Sequence, residues 1–154
     1  MSLVEKIKNK IKDAHVTVSE KNSKLLFKWE EVVTVESLKE RWQEYVDEIK
    51  ANIEELSLSQ AHVLAEGYRI YEKDSRKILD RLENIIKQRK LKCKREPDQL
   101  IMSLAEEYDK KRLEKLGDKE LDKTVEEATR TLQSKVKDVW RTLGRVIFRE
   151  IAEE

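Results

Sequence analysis

The chain has 154 residues, of which 42% are charged and 38% hydrophobic, and its formal net charge is +1. This length is enough for one domain with a buried core, and the balance of charges keeps the self-repulsion that favours disorder small. No run of about 18 apolar residues occurs that could cross a membrane, and the first residues lack the apolar segment of a signal peptide. Cys93 is the only cysteine, so no internal disulfide can form and a reducing, cytoplasmic location is expected.

Apolar residues recur at steps of three and four over most of the chain, which is the spacing of one helix face. Only three glycines and one proline occur, which leaves little material for the tight turns of a β-rich fold. The high Lys and Glu content resembles the composition of thermophile proteins. The sequence therefore predicts a single all-α domain over residues 1–154, an elongated antiparallel bundle of four to five helices with coiled-coil character. Two stripes carry this prediction: Leu64, Tyr68, Tyr71, Ser75, Ile78, Leu82 and Ile85, then Leu121, Val125, Ala128, Leu132, Val136, Val139, Leu143, Ile147 and Ile151.

The first part of the chain predicts one short amphipathic helix and one ambiguous segment. The helix covers residues 3–14. Residues 15–35 can form a second helix, with Thr17 and Glu20 as a capping box. They can also form a small β-hairpin, because apolar residues alternate on both sides of a turn at residues 20–24. The helix is favoured, since strand propensity alone predicts weakly.

The middle of the chain predicts two further helices. Ser37 and Glu40 form a second possible capping box at the start of a helix that reaches about residue 56. A break at Leu56–Ser59 follows, because the serines there can cap a new helix. The next helix covers about residues 59–93, and the basic residues at its end suit the negative end of a helix dipole.

Pro97 is predicted to end that helix and to serve as the first residue of another, over residues 97–116. Gly117 is a natural residue for the C-terminal end of a helix. The last helix is predicted over about residues 118–152. No internal repeat with a fixed period is visible in the sequence.

No catalytic or metal-binding pattern appears. His15 and His62 are the only histidines, and neither follows a glutamate by three residues as a di-iron bundle requires. One cysteine and two histidines cannot complete a zinc site without carboxylates. The neighbouring lysines are expected to lower the pKa of the Cys93 thiol, but no histidine base is close to it in sequence. We therefore expect no enzyme activity, no metal and no cofactor.

Charge is the strongest functional signal in the sequence. Because like charges at i,i+4 disfavour a helix by a few tenths of a kcal/mol, rows of such charges hint at compensating partners. Three sets stand out. The basic cluster is Lys87, Arg89, Lys90, Lys92, Lys94 and Arg95, expected at one tip of the bundle; the basic row is Lys137, Arg141, Arg145 and Arg149; the acidic row is Glu36, Glu40, Glu44 and Glu48.

These sets lead to two hypotheses about function. The first is a non-enzymatic structural or adaptor protein that associates with a protein partner or with another copy of itself, through its charged faces, such as the acidic and basic rows, or through a residual apolar groove. The alternative is a nucleic-acid-binding accessory protein that places the basic cluster and the basic row on phosphates. A plain solvated face is the third interpretation of the charges, and no helix-turn-helix, zinc-finger or basic-zipper pattern favours the alternative.

Overall fold

The protein folds as a mixed α/β structure, so the predicted all-α fold, with its helical bundle and coiled-coil character, is wrong. The computed structural model describes residues 2–51 and 75–153. Four antiparallel strands form one sheet in the order β1-β2-β4-β3. The elements are α1 (Leu3–Lys10), β1 (Val16–Lys21), β2 (Lys24–Thr34), α2 (Val35–Ala51), α3 (Ser75–Gln88), β3 (Lys92–Glu96), β4 (Gln99–Asp109), α4 (Lys110–Glu114) and α5 (Asp118–Glu153).

Residues 15–35 form the hairpin, not the helix. Val16 pairs with Trp29 across β1 and β2, and the two strands are joined by Asn22 and Ser23. These two residues have φ angles of 52° and 64°, the left-handed conformation that both central residues of a type I′ hairpin turn require. Burial alternates along β2, and Val32, on its outer face, is 49% exposed.

A second hairpin replaces the predicted helix 97–116. Pro97 and Asp98 connect β3 to β4, and only residues 110–114 of the predicted stretch are helical. Burial alternates along the first half of β4, which is the two-residue period of a strand. A short apolar run fits the helical period as well as the strand period. Here the pairing with neighbouring strands decides that the segment is a strand. The predicted helix 59–93 ends early, at Gln88, before Lys90 takes a left-handed φ of 58°.

Several predictions for residues 52–74 lie outside the described residues. They include the break at Leu56–Ser59, His62 and the first half of the apolar stripe that begins at Leu64.

The chain repeats its own architecture after 75 residues. β2 and β4 each have 11 residues, and they begin at Lys24 and Gln99. The strand before each of them ends three residues earlier, and a helix follows each directly. Both halves therefore have the order helix, hairpin, helix, a repeat that the sequence did not reveal.

The buried residues follow this repeat. Leucine occupies equivalent positions in β2 and β4, and the helices that flank the two hairpins also bury equivalent apolar residues. Thr34 and Asp109, equivalent in the repeat, both cap the following helix by accepting a hydrogen bond from a backbone N–H. The equivalent buried pairs are Ile7 and Leu82, Leu25 and Leu100, Phe27 and Met102, Trp29 and Leu104, and Leu38 and Leu113.

Two helix starts differ in detail from the sequence predictions. Thr34, not Ser37, is the N-cap of α2: the Ser37 N–H donates to Thr34 Oγ1 at 3.2 Å, and the Thr34 N–H donates to Ser37 Oγ at 2.7 Å. This is the reciprocal arrangement of a capping box, with serine in place of the usual glutamate. Gly117 opens α5, since its carbonyl accepts from the Leu121 N–H at 2.9 Å. The long final helix is confirmed.

The chain divides into two compact units. Unit 1 is Met1–Glu31 with Met102–Val136, and unit 2 is Val32–Ile101 with Lys137–Glu154. In unit 1, α1 contacts β1, and Phe27 meets Tyr108 edge-on at a ring distance of 5.4 Å. In unit 2, α3 contacts β3 and α2.

Asp13 holds the turn between α1 and β1 in unit 1. One carboxylate oxygen accepts from the His15 N–H at 2.9 Å, and the other accepts from Gln133 Nε2 at 2.9 Å. The His15 ring stacks on Trp29 with a centroid distance of 4.5 Å. Burial by itself raises the pKa of Asp13, but the hydrogen bonds from Gln133 and His15 outweigh it, and the pKa lies below its ordinary value of 3.8.

We therefore expect Asp13 to make the protein acid-sensitive. Because the pKa of Asp13 is lowered by folding, its stabilisation is complete above the unfolded-state pKa and is lost as pH falls through the folded one. In Asp13→Asn, the free energy of unfolding should therefore fall less steeply below pH 3.8 than in the native protein. Urea titrations across this range measure the slope. Asp98→Asn, at a mainly exposed carboxylate, is the control, and an unchanged slope in Asp13→Asn would contradict the expectation.

Candidate anion-binding surface

Arg89 connects the end of α3 to α5 in unit 2. Its Nε donates to the carboxylate of Asp138, and its terminal nitrogen donates to Thr142 Oγ1 at 2.8 Å. Lys90 adjoins Arg89 in sequence, and Lys137 adjoins Asp138. This contact therefore brings the end of the basic cluster that lies nearest α3 beside the basic row.

Five cations beside this contact are exposed, and we call them the basic surface. Three of them follow one another along α5 at four-residue steps, which is about 6 Å per step. The other two lie at the end of α3 and in the turn that follows it. The side chain of Arg149, the fourth member of the basic row, is outside the described residues. The basic surface consists of Lys87, Lys90, Lys137, Arg141 and Arg145.

Asp138 is the only acidic residue between Glu127 and Glu150, and Arg89 neutralises it. The hydrogen bond from Arg89 lowers the pKa of Asp138 below its ordinary value of 3.8, and the charge of nearby Arg145 lowers it further. Asp138 is thus ionised at neutral pH and paired with a cation that is not part of the basic surface. Lys87 itself forms an ion pair with Glu83 of α3, with a distance of 3.3 Å between Nζ and Oε1.

The rest of the basic cluster does not form a tip. Arg95 is mostly buried and structural: it donates to Asp80 of α3 at 3.0 Å and to the Glu96 carbonyl oxygen at 2.8 Å. Lys92 and Lys94 are exposed, whereas the residues between and after them on β3 are half-buried. Alternate residues of a strand point to opposite faces. Lys92 and Lys94 therefore extend from the face of β3 opposite to the one that carries Cys93 and Arg95.

The acidic row lies on α2, also in unit 2. Glu36 and Glu40 are exposed, and Glu44 accepts a hydrogen bond from Arg41 at 3.3 Å. The Arg41 guanidinium lies over the Trp140 ring, 5.2 Å from its centroid, so α2 contacts α5 at this point. The side chain of Glu48 is outside the described residues.

The internal repeat shows that the fold does not require a basic residue at the turn and strand positions of Lys90, Lys92 and Lys94. Turn and strand positions that carry basic residues in the second half carry uncharged or acidic residues in the first half. The same turn and strand form in both halves, with the core positions conserved in character. The equivalent pairs are Ala14 and Arg89, His15 and Lys90, Thr17 and Lys92, Ser19 and Lys94, and Glu20 and Arg95.

The described residues give little support for other kinds of site. Among them, no group of three or more His, Cys, Asp or Glu side chains is placed to hold a metal ion. In unit 1, an open depression of about 580 Å³ lies beside the first hairpin turn. Its lining mixes both signs of charge, with Lys24 and Lys111 beside Glu107 and Asp109, and burial raises the pKa of its Tyr108.

Cys93 is less reactive than its basic neighbours suggest. Burial raises the pKa of the thiol, and Glu83 raises it further, whereas Lys87 only partly opposes them. The sequence-based expectation of a lowered pKa is therefore wrong, because alternate residues on β3 place the thiol on the inner side and the lysines on the other. We expect Cys93 to react more slowly with a disulfide reagent at pH 8 than the same thiol in the urea-unfolded chain. A reaction as fast as that of the unfolded chain would contradict this.

None of the helices within the described ranges has the length and apolar character needed to cross a membrane. A comparison with protein-family models, curated proteins and solved structures finds no match to this chain.

Proposed function

We propose that this protein is a non-enzymatic nucleic-acid-binding protein whose basic surface contacts phosphates. The observation that carries the proposal is the Arg89 contact, which holds the end of α3, next to Lys90, against α5, next to Lys137, and neutralises Asp138 within the basic row. An acidic protein surface is the second candidate partner, in line with the adaptor hypothesis.

A nucleic acid is favoured because the acidic row and the basic row lie on different helices of unit 2, α2 and α5. The overall charge of +1 would weaken binding to a polyanion if both signs were mixed. Here the acidic row occupies its own helix, and Lys137, Arg141 and Arg145 form an exposed row on another. Binding of this kind reads no sequence, and its dissociation constant at physiological salt is about 10⁻⁴ to 10⁻⁶ M.

The test is fluorescence anisotropy with labelled duplex and single-stranded DNA of mixed sequence. Each phosphate neutralised contributes a slope of about −0.9 to log K against log salt on duplex DNA, so five cations give at most about −4.5. We expect saturable binding at about 50 mM salt that weakens steeply by about 200 mM. No binding at the lower salt concentration, or binding that ignores salt, would overturn the proposal.

A further inference from the structure

The acidic row matches the basic surface in spacing. Glu36, Glu40 and Glu44 succeed one another every four residues on α2, as Lys137, Arg141 and Arg145 do on α5. Both rows therefore advance by about 6 Å per charge. Two helices laid side by side can form successive ion pairs along such rows without a change of register.

In the part of the chain that the structure describes, the side chains of Arg41 and Trp140 meet between α2 and α5. At about 100° per residue, Glu40 lies roughly 100° around α2 from Arg41, and Arg141 lies equally far around α5 from Trp140. The members of both rows that the structure describes are exposed. Both rows are thus accessible to another molecule.

From this complementarity we propose that a second copy of this chain lays its acidic row on the basic surface, so that self-association and nucleic-acid binding compete for the same cations. The carboxylates of α2 take the place that the phosphates take in the nucleic-acid complex. In a symmetric dimer each copy contributes one acidic row and one basic row, which doubles the number of ion pairs. The competition rests on the proposed function, whereas the self-association does not.

The salt dependence of such a dimer follows from the exposure of its charges. Exposed ion pairs are weak singly and are screened by salt. The dimer therefore forms at low salt and micromolar or higher protein concentration, and it dissociates at high salt.

The experiment compares two triple variants by light scattering on a sizing column and by DNA anisotropy. E36Q/E40Q/E44Q removes the acidic row. E5Q/E30Q/E126Q, at exposed glutamates of unit 1, raises the net charge by the same amount and is the matched control. We expect the native protein and the control to have twice the 18.3 kDa chain mass at low salt, and the acidic-row variant to have the mass of one chain.

Two further results are expected where the native protein is dimeric. The acidic-row variant should bind duplex DNA several-fold more tightly than the charge-matched control, and added DNA should convert native dimers into complexes with one chain. A native monomer at low salt, or an acidic-row variant that stays dimeric, would overturn the self-association. If the native protein is dimeric and the monomeric acidic-row variant binds no DNA at low salt, the self-association stands and the proposed function is overturned instead.

Discussion

Replacing Lys137, Arg141 and Arg145 together with glutamate is expected to weaken DNA binding by at least about 100-fold at low salt. Each substitution removes one phosphate contact, which is worth about one unit of the salt slope, and places a negative charge where a phosphate would lie. Anisotropy with labelled duplex DNA at several salt concentrations measures both effects. We expect the remaining salt slope to fall by about three units.

The fold should tolerate this change, because all three side chains are exposed. Exposed substitutions of this kind change the free energy of unfolding by about 0.5 kcal/mol or less. The matched control is K115E/K119E/K123E, at three exposed lysines within and just before the start of α5. If the basic-row variant binds DNA as tightly as this control does, the basic surface is not the DNA-binding surface.

Replacing Phe27 with alanine is expected to destabilise the protein by about 3–5 kcal/mol, because it empties a core position. Phe27 is fully buried in unit 1, and its ring packs against Tyr108. Phe27→Met should cost less than about 1.5 kcal/mol, because methionine occupies the equivalent position, Met102, in the second half of the repeat. Urea unfolding followed by circular dichroism measures both values.

Val32→Ala is the control on the other face of β2, where the side chain is half exposed. We expect Val32→Ala to lower the free energy of unfolding by much less than Phe27→Ala does, because little apolar area leaves the core. If Phe27→Met destabilises the protein as much as Phe27→Ala, the two halves do not share equivalent core positions.

The sequence correctly predicted the elements whose apolar pattern fits only one secondary-structure period and whose local signals agree with that period. The long stripe from Leu121 to Leu143 is incompatible with a two-residue period, and α5 forms where expected. Lys137 and Arg145 lie away from this stripe at about 100° per residue, and both are exposed. Periodicity is a local property, so it survives any tertiary arrangement that buries the same stripe.

The repeat escaped detection because too few identical residues mark it. Core positions require only apolar side chains of suitable size, so Phe27 and Met102 are equivalent without being identical. The residues that recur unchanged 75 positions later within 7–38 are Asn9, Ile11, Lys12, Leu25, Glu31 and Leu38.

Only the tertiary structure decided the secondary structure of residues 97–109 and the roles of the residues in the basic cluster. The run from Leu100 to Ala105 fits a helix or a strand, and it became β4 because β2 and β3 supply backbone hydrogen bonds on both sides. Arg89 and Arg95 look like their neighbours in sequence, yet Asp138 and Asp80 hold them in structural contacts. Such partners are distant along the chain, and a local pattern carries no information about which distant groups will meet.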